Sequence, residues 1–336
     1  MTFRINKLIG IVILIGSFAS GWFIMDWQSF MKTSLVRGDH PVRLTIESGS
    51  SLTGLAYQLQ KARLIRHPRY LIWLARWKGK ADQIQAGEYE LMPGTTPAIL
   101  LDQIVSGKVI QYPFTIIEGW TFRQLRLALQ DQPVIESTLN GLSDEQVMER
   151  LGHGGEMPEG RFLPNTYFIT RNTTDLQVLK RAYEAMSLVL EQAWEERDVG
   201  LPYRQAYDVL ILASIIEKET AVPEERNRIA GVFVRRLEKG MRLQTDPTVI
   251  YGLGPSFDGN LRRRDLKSDT PYNTYRHRGL PPTPIAMPGR DSILAAVHPA
   301  AGDEIYFVAR GDGTHYFSAT VEEHNRAVRK YQLNGH

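Results

Sequence analysis

The chain has 336 residues, 43% of them apolar and 23% charged, with a formal net charge of +3 and no cysteine. That length favours two domains with ample apolar content for a core, and so small a positive balance gives no reason to expect nucleic acid. The missing cysteines exclude disulfides, thiolate metal sites, cysteine nucleophiles and a lipidated-cysteine anchor.

Leu8 to Met25 is a run of 18 uncharged residues, preceded by Arg4 and Lys7 and followed by Asp26. As a helix it spans about 27 Å, enough for the hydrocarbon core of a bilayer. The basic flank predicts a cytoplasmic N-terminus, with the rest of the chain outside. Ser17-Phe18-Ala19 resembles a signal-peptidase site. The apolar run continues beyond it to Met25, and Trp22 and Trp27 suit an interfacial belt, which favours an uncleaved anchor.

After a polar connector to about Pro41, Val42–Ile46 alternates as a strand and Glu47–Ser51 turns. Leu52–Leu64 and a segment opening at His67-Pro68 carry helical spacing, Gly87–Met92 is strand-like, and Thr96–Val105 is a helix stopped by Gly107. Val109–Glu118 reads as a strand leading out, and Thr121–Leu129 and Ser143–Leu151 read as helices, the second with Ser143 as a possible cap. Gly152–Gly155 lacks the context of a phosphate loop and reads as a hinge. Pro158–Phe168 reads as a loop unusually rich in aromatic and polar side chains, and Leu176–Arg197 as a long amphipathic helix.

Asp208–Ala221 follows, almost wholly apolar from Val209 to Ile216 and therefore a helix buried on most sides. Glu217 ends that run, while Glu219 points roughly 200° away, so the two acids cannot easily meet at one substrate atom. Half-burial would raise the Glu217 carboxyl toward the range of a general acid. From the helix alone, a solvated helix end is the other reading.

Pro223 marks the next helix start, and Asp246-Pro247 reads as an N-cap followed by a first helical residue. Leu261–Arg278 is a long loop crowded with Tyr, Asn, Thr and Arg, too rich in hydrogen-bonding groups to be filler. Arg290–Val297 is a short helix, Glu304–Val308 and His315–Ser318 form a hairpin, and Thr320-x-x-Glu323 caps a last helix.

His298, His315 and His324 lack metal-ligand spacing, and no G-x-S-x-G presents a serine. What remains is an acid on a buried helix beside loops of Tyr, Asn, Gln, Thr and Arg, a mixture suited to a sugar polymer. Glycoside hydrolysis ordinarily needs two carboxylates. With Glu219 turned away, one acid/base residue is favoured unless Asp246 or Glu159 folds in.

Four motifs then give a resemblance that covers essentially the whole chain: A-S-I-I-E-K-E-T at 213–220, L-Q-T-D-P-T-V-I-Y-G at 243–252, S-D-T-P-Y-N-T-Y at 268–275 and G-L-P-P-T-P-I-A-M-P-G at 279–289. In this order they resemble the MltG/YceG family of endolytic murein transglycosylases. In addition, residues 42–92, with S-G-S-S-L-x-x-L-A after the first strand, resemble a LysM-type glycan-binding module.

The family resemblance implies cleavage of the β-1,4 bond between N-acetylmuramic acid and N-acetylglucosamine within glycan strands, leaving 1,6-anhydro ends and terminating nascent strands, without cofactor or metal. It implies Glu217 as the acid/base, with Gln244, Asp246, Tyr272, Asn273, Thr274 and Tyr275 holding the sugar and Glu159, Asn165 and Tyr167 in support. The family often has an acidic residue where Asn165 stands, a departure of this chain from the family's pattern. The expected fold is α+β: a cytoplasmic 1–7, a transmembrane helix 8–27, a connector 28–41, a small LysM-like α+β domain 42–110, and a larger mixed α+β catalytic domain 111–333 with the active-site acid on a buried helix. The expected place is the inner membrane with the catalytic domain in the periplasm, beside peptidoglycan glycan strands and penicillin-binding synthases. A non-catalytic glycan-binding scaffold and a water-using muramidase are the alternatives.

Overall fold

The computed structural model describes Thr2–Leu333, with side chains from Ile9 onward, so the basic flank of Arg4 and Lys7 and the stretch 1–7 expected in the cytoplasm lie outside the described side chains. Contacts gather the chain into two units, residues 1–112 with 170–172, and residues 113–169 with 173–336.

The first unit begins with α1 (Thr2–Lys32), of which Ile9–Lys32 is long and apolar enough to cross a membrane. The helix does not give way to a connector at residue 28. Phe30, Leu35 and Val36 are buried in one core with Leu44, Leu71 and Leu100, and the Leu35 amide donates to the Thr95 carbonyl at 2.8 Å. The polar residues that make 28–41 look like a linker alternate with apolar ones that the core takes up.

There follow β1 (Val42–Ile46), α2 (Leu52–Lys61), α3 (Pro68–Trp77), β2 (Gly87–Leu91) and α4 (Pro97–Ser106). The two strands pair antiparallel with Val42 opposite Leu91, turning Leu44 and Ile46 inward. Local signals set the helix ends: Ser51 Oγ accepts from the Gly54 amide, Thr96 Oγ1 from the Ile99 amide, and Gly107 closes α4 at φ 66°, where a side chain would be strained.

From Pro113 on, β3 (Tyr112–Ile116) belongs to the second unit and leads to α5 (Phe122–Gln130), β4 (Ile135–Glu136), α6 (Asp144–Leu151), β5 (Asn165–Ile169), β6 (Thr173–Thr174) and α7 (Asp175–Glu195). Capping boxes open α5, α6 and α7 at Thr121, Ser143 and Thr174. Residues 165–168, expected as loop, belong to a strand paired with β3. Tyr167 and Ile169 face inward and their neighbours outward, a period of two hidden by the turn formers before it.

The centre of this unit is α8 (Ala206–Glu219), whose residues Val209–Ile216 are all buried. Around it pack α7, α9 (Arg226–Glu238), reached through a single 3-10 turn at Pro223–Glu225, then α10 (Asp246–Leu253) and α11 (Arg290–Val297). The core joins Leu210, Ala213, Ile229, Phe233, Ile285 and Ala296. A hairpin of β7 (Tyr306–Ala309) and β8 (His315–Ser318) pairs Phe307 with Phe317, and α12 (Val321–Val328) opens with a capping box at Thr320.

Candidate functional site

A helix buried on every side leaves only its last turn for chemistry, and α8 ends with Glu217, Lys218 and Glu219. One turn earlier, fully buried Ser214 donates to the Ile211 carbonyl at 2.7 Å and accepts from the Ile285 amide at 3.0 Å. That pair draws the segment 279–289 alongside α8.

Glu217 receives the end of that segment. Its Oε2 accepts from the Gly289 amide at 2.9 Å and from Ser292 Oγ at 2.7 Å. Gly289 is the N-cap of α11 and has no side chain to cap it, so Glu217 supplies the acceptor and a negative charge at the positive end of that helix. On the same glycine lies the carboxyl of Glu118, into which any side chain at 289 would run. Burial, and then the negative charge of Glu217, push Glu118 above the usual carboxylate range, with Arg226 opposing. The loop carrying Glu118 is tied down by the Gly119 amide donating to the Met287 carbonyl at 2.9 Å and the Met287 amide to the Trp120 carbonyl at 2.7 Å. Glu118 is not among the site residues expected from the sequence. The one signal is an acid before a glycine at the end of a strand.

Glu219 has other company. Thr245 Oγ1 donates to its Oε1. Burial raises its carboxyl to about 7, a rise that Asp246 reinforces and the Thr245 bond opposes. It lines a cavity of about 280 Å³ with Gln244, Asp246, Tyr275, Arg236 and His315. The Tyr275 hydroxyl donates to Asp246 Oδ1 at 2.6 Å, and burial followed by that bond holds the phenol protonated well above its ordinary range. Arg236 is spent on backbone: its Nε donates to the Ile305 carbonyl and its Nη1 to the Leu243 carbonyl, both at 2.6 Å. Gln244 sits at φ 51° with its amide donating to the Thr274 carbonyl at 3.2 Å. A left-handed non-glycine residue on a cavity rim is strain kept where the surroundings impose it.

The expected sugar-holding residues therefore divide. Gln244, Asp246 and Tyr275 meet at the Glu219 cavity. Asp246 is not the N-cap expected of it: Thr245 holds that position, and Asp246, the first residue of α10, faces Tyr275. Asn273 is fully buried, donating through Nδ2 to the Leu266 and Ser268 carbonyls and accepting from the Tyr275 amide. Thr274 is buried too, its Oγ1 shared between the Thr245 amide and Thr248 Oγ1. These two hold the loop in shape.

The Tyr272 hydroxyl pairs with Thr283 Oγ1 at 2.9 Å, and its ring meets Tyr251 edge-on. The Tyr251 hydroxyl reaches Glu159 Oε2 at 3.0 Å, and Glu159 also accepts from the Phe122 amide at 3.0 Å. Burial, opposed by those bonds, lifts Glu159 to about 7. Tyr167 is buried with its hydroxyl on the Leu163 carbonyl, and Asn165 is exposed with Oδ1 on the Thr166 amide. Neither lines the Glu219 cavity. Among the described residues no group of three or more His, Asp or Glu is placed to hold a metal ion.

A carboxyl that holds its proton near neutrality, in a polar cavity with amide, carboxylate and phenol groups, donates to an ether oxygen and takes a proton back within the same pH range. The arrangement of Glu219, Gln244, Asp246 and Tyr275 meets that description.

The model of the YceG-like family matches residues 44–330. An endolytic murein transglycosylase of Bacillus subtilis (strain 168) is 33% identical over 310 residues, covering 86% of this chain and 84% of that protein. One from Streptococcus pneumoniae serotype 2 (strain D39 / NCTC 7466) is 28% identical over 323 residues, and the match spans 86% of this chain and 58% of the relative's length. The crystal structure of a YceG-like protein from Listeria monocytogenes is similar with a TM-score of 0.54 at 29% identity, covering 86% of this chain and 99% of that one.

Proposed function

This chain belongs to the YceG-like family, and we propose that it acts as an endolytic murein transglycosylase whose proton-carrying residue is Glu219. One observation carries the residue assignment: a carboxyl raised to about 7 shares a cavity with three of the residues expected to hold the sugar. Glu217, the acid expected from the motif, has its Oε2 engaged at the start of α11, which favours a positioning role.

Protonated Glu219 gives its proton to the glycosidic oxygen between N-acetylmuramic acid and N-acetylglucosamine, and that C–O bond breaks. The resulting carboxylate takes the proton from the muramyl C6 hydroxyl, and O6 closes onto C1. The product is a 1,6-anhydro end, and no water is consumed. A single carboxyl serves both steps because the nucleophile belongs to the substrate, so the carboxylate pair of a hydrolase is not required. Tyr275 and Asp246 orient the sugar, and Gln244 offers its amide from the rim.

The same reading makes α1 a membrane anchor, with the rest of the first unit, a LysM-like holder of glycan, and the whole second unit on the periplasmic side of the inner membrane. Acting there on strands delivered by penicillin-binding synthases, the enzyme terminates their growth. Mass spectrometry of peptidoglycan digested by the wild type, Glu217→Gln and Glu219→Gln tests this. Internal fragments with 1,6-anhydromuramic ends from the wild type, lost with Glu219→Gln, support the assignment, whereas loss with Glu217→Gln alone returns the role to Glu217. Reducing ends would indicate a muramidase, and binding without cleavage a scaffold.

A further inference from the structure

We propose that the first unit carries a binding site for the phosphate headgroup of an anionic membrane lipid, in the cavity where α1 leaves its apolar span. The inference rests on reading α1 as a membrane anchor. Met25 ends the uncharged run and Asp26 is the first charge beyond it. A cavity of about 240 Å³ opens there, lined by Asp26, Phe30, Thr33, Arg37, Arg66 and His67 among others. At 1.5 Å per residue, the α1 residues that line it lie within roughly 12 Å of the end of the span, the depth of lipid headgroups.

Ring contacts fix that depth for the rest of the unit. Phe23, still inside the apolar run, meets Tyr70 at 5.9 Å and Trp73 at 6.1 Å, and Trp27 meets Tyr70 at 5.4 Å. Thus α3 begins level with the last turn of the span. Trp73 and Trp77 on that helix stay 45% and 80% exposed. Trp73, held at this height by Phe23, is the kind of residue found at a membrane–water boundary.

The cavity's charges are unbalanced. Asp26 already accepts from the Tyr70 hydroxyl at 2.7 Å and faces His67 Nε2 at 3.8 Å. The guanidinium groups of Arg37 and Arg66 have no hydrogen bond or ion pair among the described residues, although both line the cavity. A phosphate between two forked donors makes charge-assisted bonds that neither arginine has otherwise. Phe30 and Ile65 give the cavity an apolar wall, which suits a diester continuing into lipid and offers nothing to a free anion.

The test uses the full chain in nanodiscs of phosphatidylcholine with phosphatidylglycerol, comparing the wild type with a doubly substituted Arg37→Ala, Arg66→Ala protein. Both arginines are exposed and unbonded, so the fold survives their removal. Lipid retained after detergent extraction is counted by mass spectrometry. The expected result is selective retention of phosphatidylglycerol by the wild type and a loss of roughly tenfold or more in the variant. Equal retention by the two, with α1 still in the bilayer, overturns the site. Displacement of the lipid by millimolar inorganic phosphate overturns the lipid assignment. Release of the wild type from phosphatidylcholine vesicles by carbonate shows instead that α1 is no anchor, and the site falls with that reading.

Discussion

Glu217 and Glu219 stand two residues apart on α8 and serve different neighbours: the first accepts from Gly289 and Ser292 at the start of α11, the second from Thr245 at the edge of a cavity. Their separation follows from helical geometry and gives them separable consequences. Replacing Glu219 by Gln keeps the shape and removes the transferable proton, so cleavage is expected to fall by roughly 10²–10⁴ with little change in melting temperature. Anhydro-end formation and thermal melting of the same preparation check both halves of this prediction.

Glu217→Ala is expected to do the reverse in kind. It leaves the Gly289 amide and Ser292 hydroxyl without their acceptor, a cost of about 1–3 kcal/mol. In a unit of this size that lowers the melting temperature by roughly 2–10 °C. Calorimetry measures it. An unchanged melting temperature with abolished cleavage would assign Glu217 to the chemistry.

The raised carboxyls set a pH dependence. Glu219 and Glu159 are held at about 7, against an ordinary value of 4.5. Below the ordinary value both the folded and unfolded chains are protonated. Between 4.5 and about 7 the unfolded chain loses its protons while the folded one keeps them. Stability from these groups is therefore full in acid and declines as the pH rises through that window. Activity that needs protonated Glu219 declines above about 7, approaching tenfold per unit. Urea midpoints and initial rates across pH 4–9 follow the two effects, and Glu159→Gln flattens only the first.

Tyr275→Phe removes the hydroxyl that donates to Asp246 at 2.6 Å and leaves the ring in place. The expected loss is about tenfold in kcat/KM, with stability within about 1 kcal/mol of the wild type. A fall confined to stability would place the pair in the scaffold.

Asn273→Ala tests the opposite assignment. Its side chain makes three bonds to backbone in a fully buried position, and their loss is expected to cost about 2–4 kcal/mol. Thermal melting shows it as a lowered midpoint, and any loss of activity should follow the unfolded fraction.

Features encoded by neighbouring residues were legible in the sequence. Thr96 and Gly107 bound α4, Thr320 and Glu323 begin α12, and the apolar run of α8 is buried throughout. Choices that depend on distant partners were not. Nothing near Asn165 announces that β3 lies beside it, and Asp246-Pro247 carries a capping signature although Thr245 takes the position. Asn273 and Thr274 belong to a motif that reads as a binding loop, yet its polar groups are spent shaping the chain between Tyr272 and Tyr275. The spacing separated the faces of Glu217 and Glu219. Which face meets Gln244 and Asp246 depends on how the segment 240–246 returns to α8.

The burial of Phe30, Leu35 and Val36 in the core that also holds Leu71 and Leu100 makes α1 a stalk instead of a tether. A tether lets its cargo wander through a hemisphere; a stalk sets one height and one tilt. With α1 in a bilayer, the first unit works as a gauge standing on the membrane, sampling a two-dimensional search in the plane. Inserting two glycines after Lys32 would turn the gauge into a leash and broaden the distribution of glycan lengths the protein leaves behind.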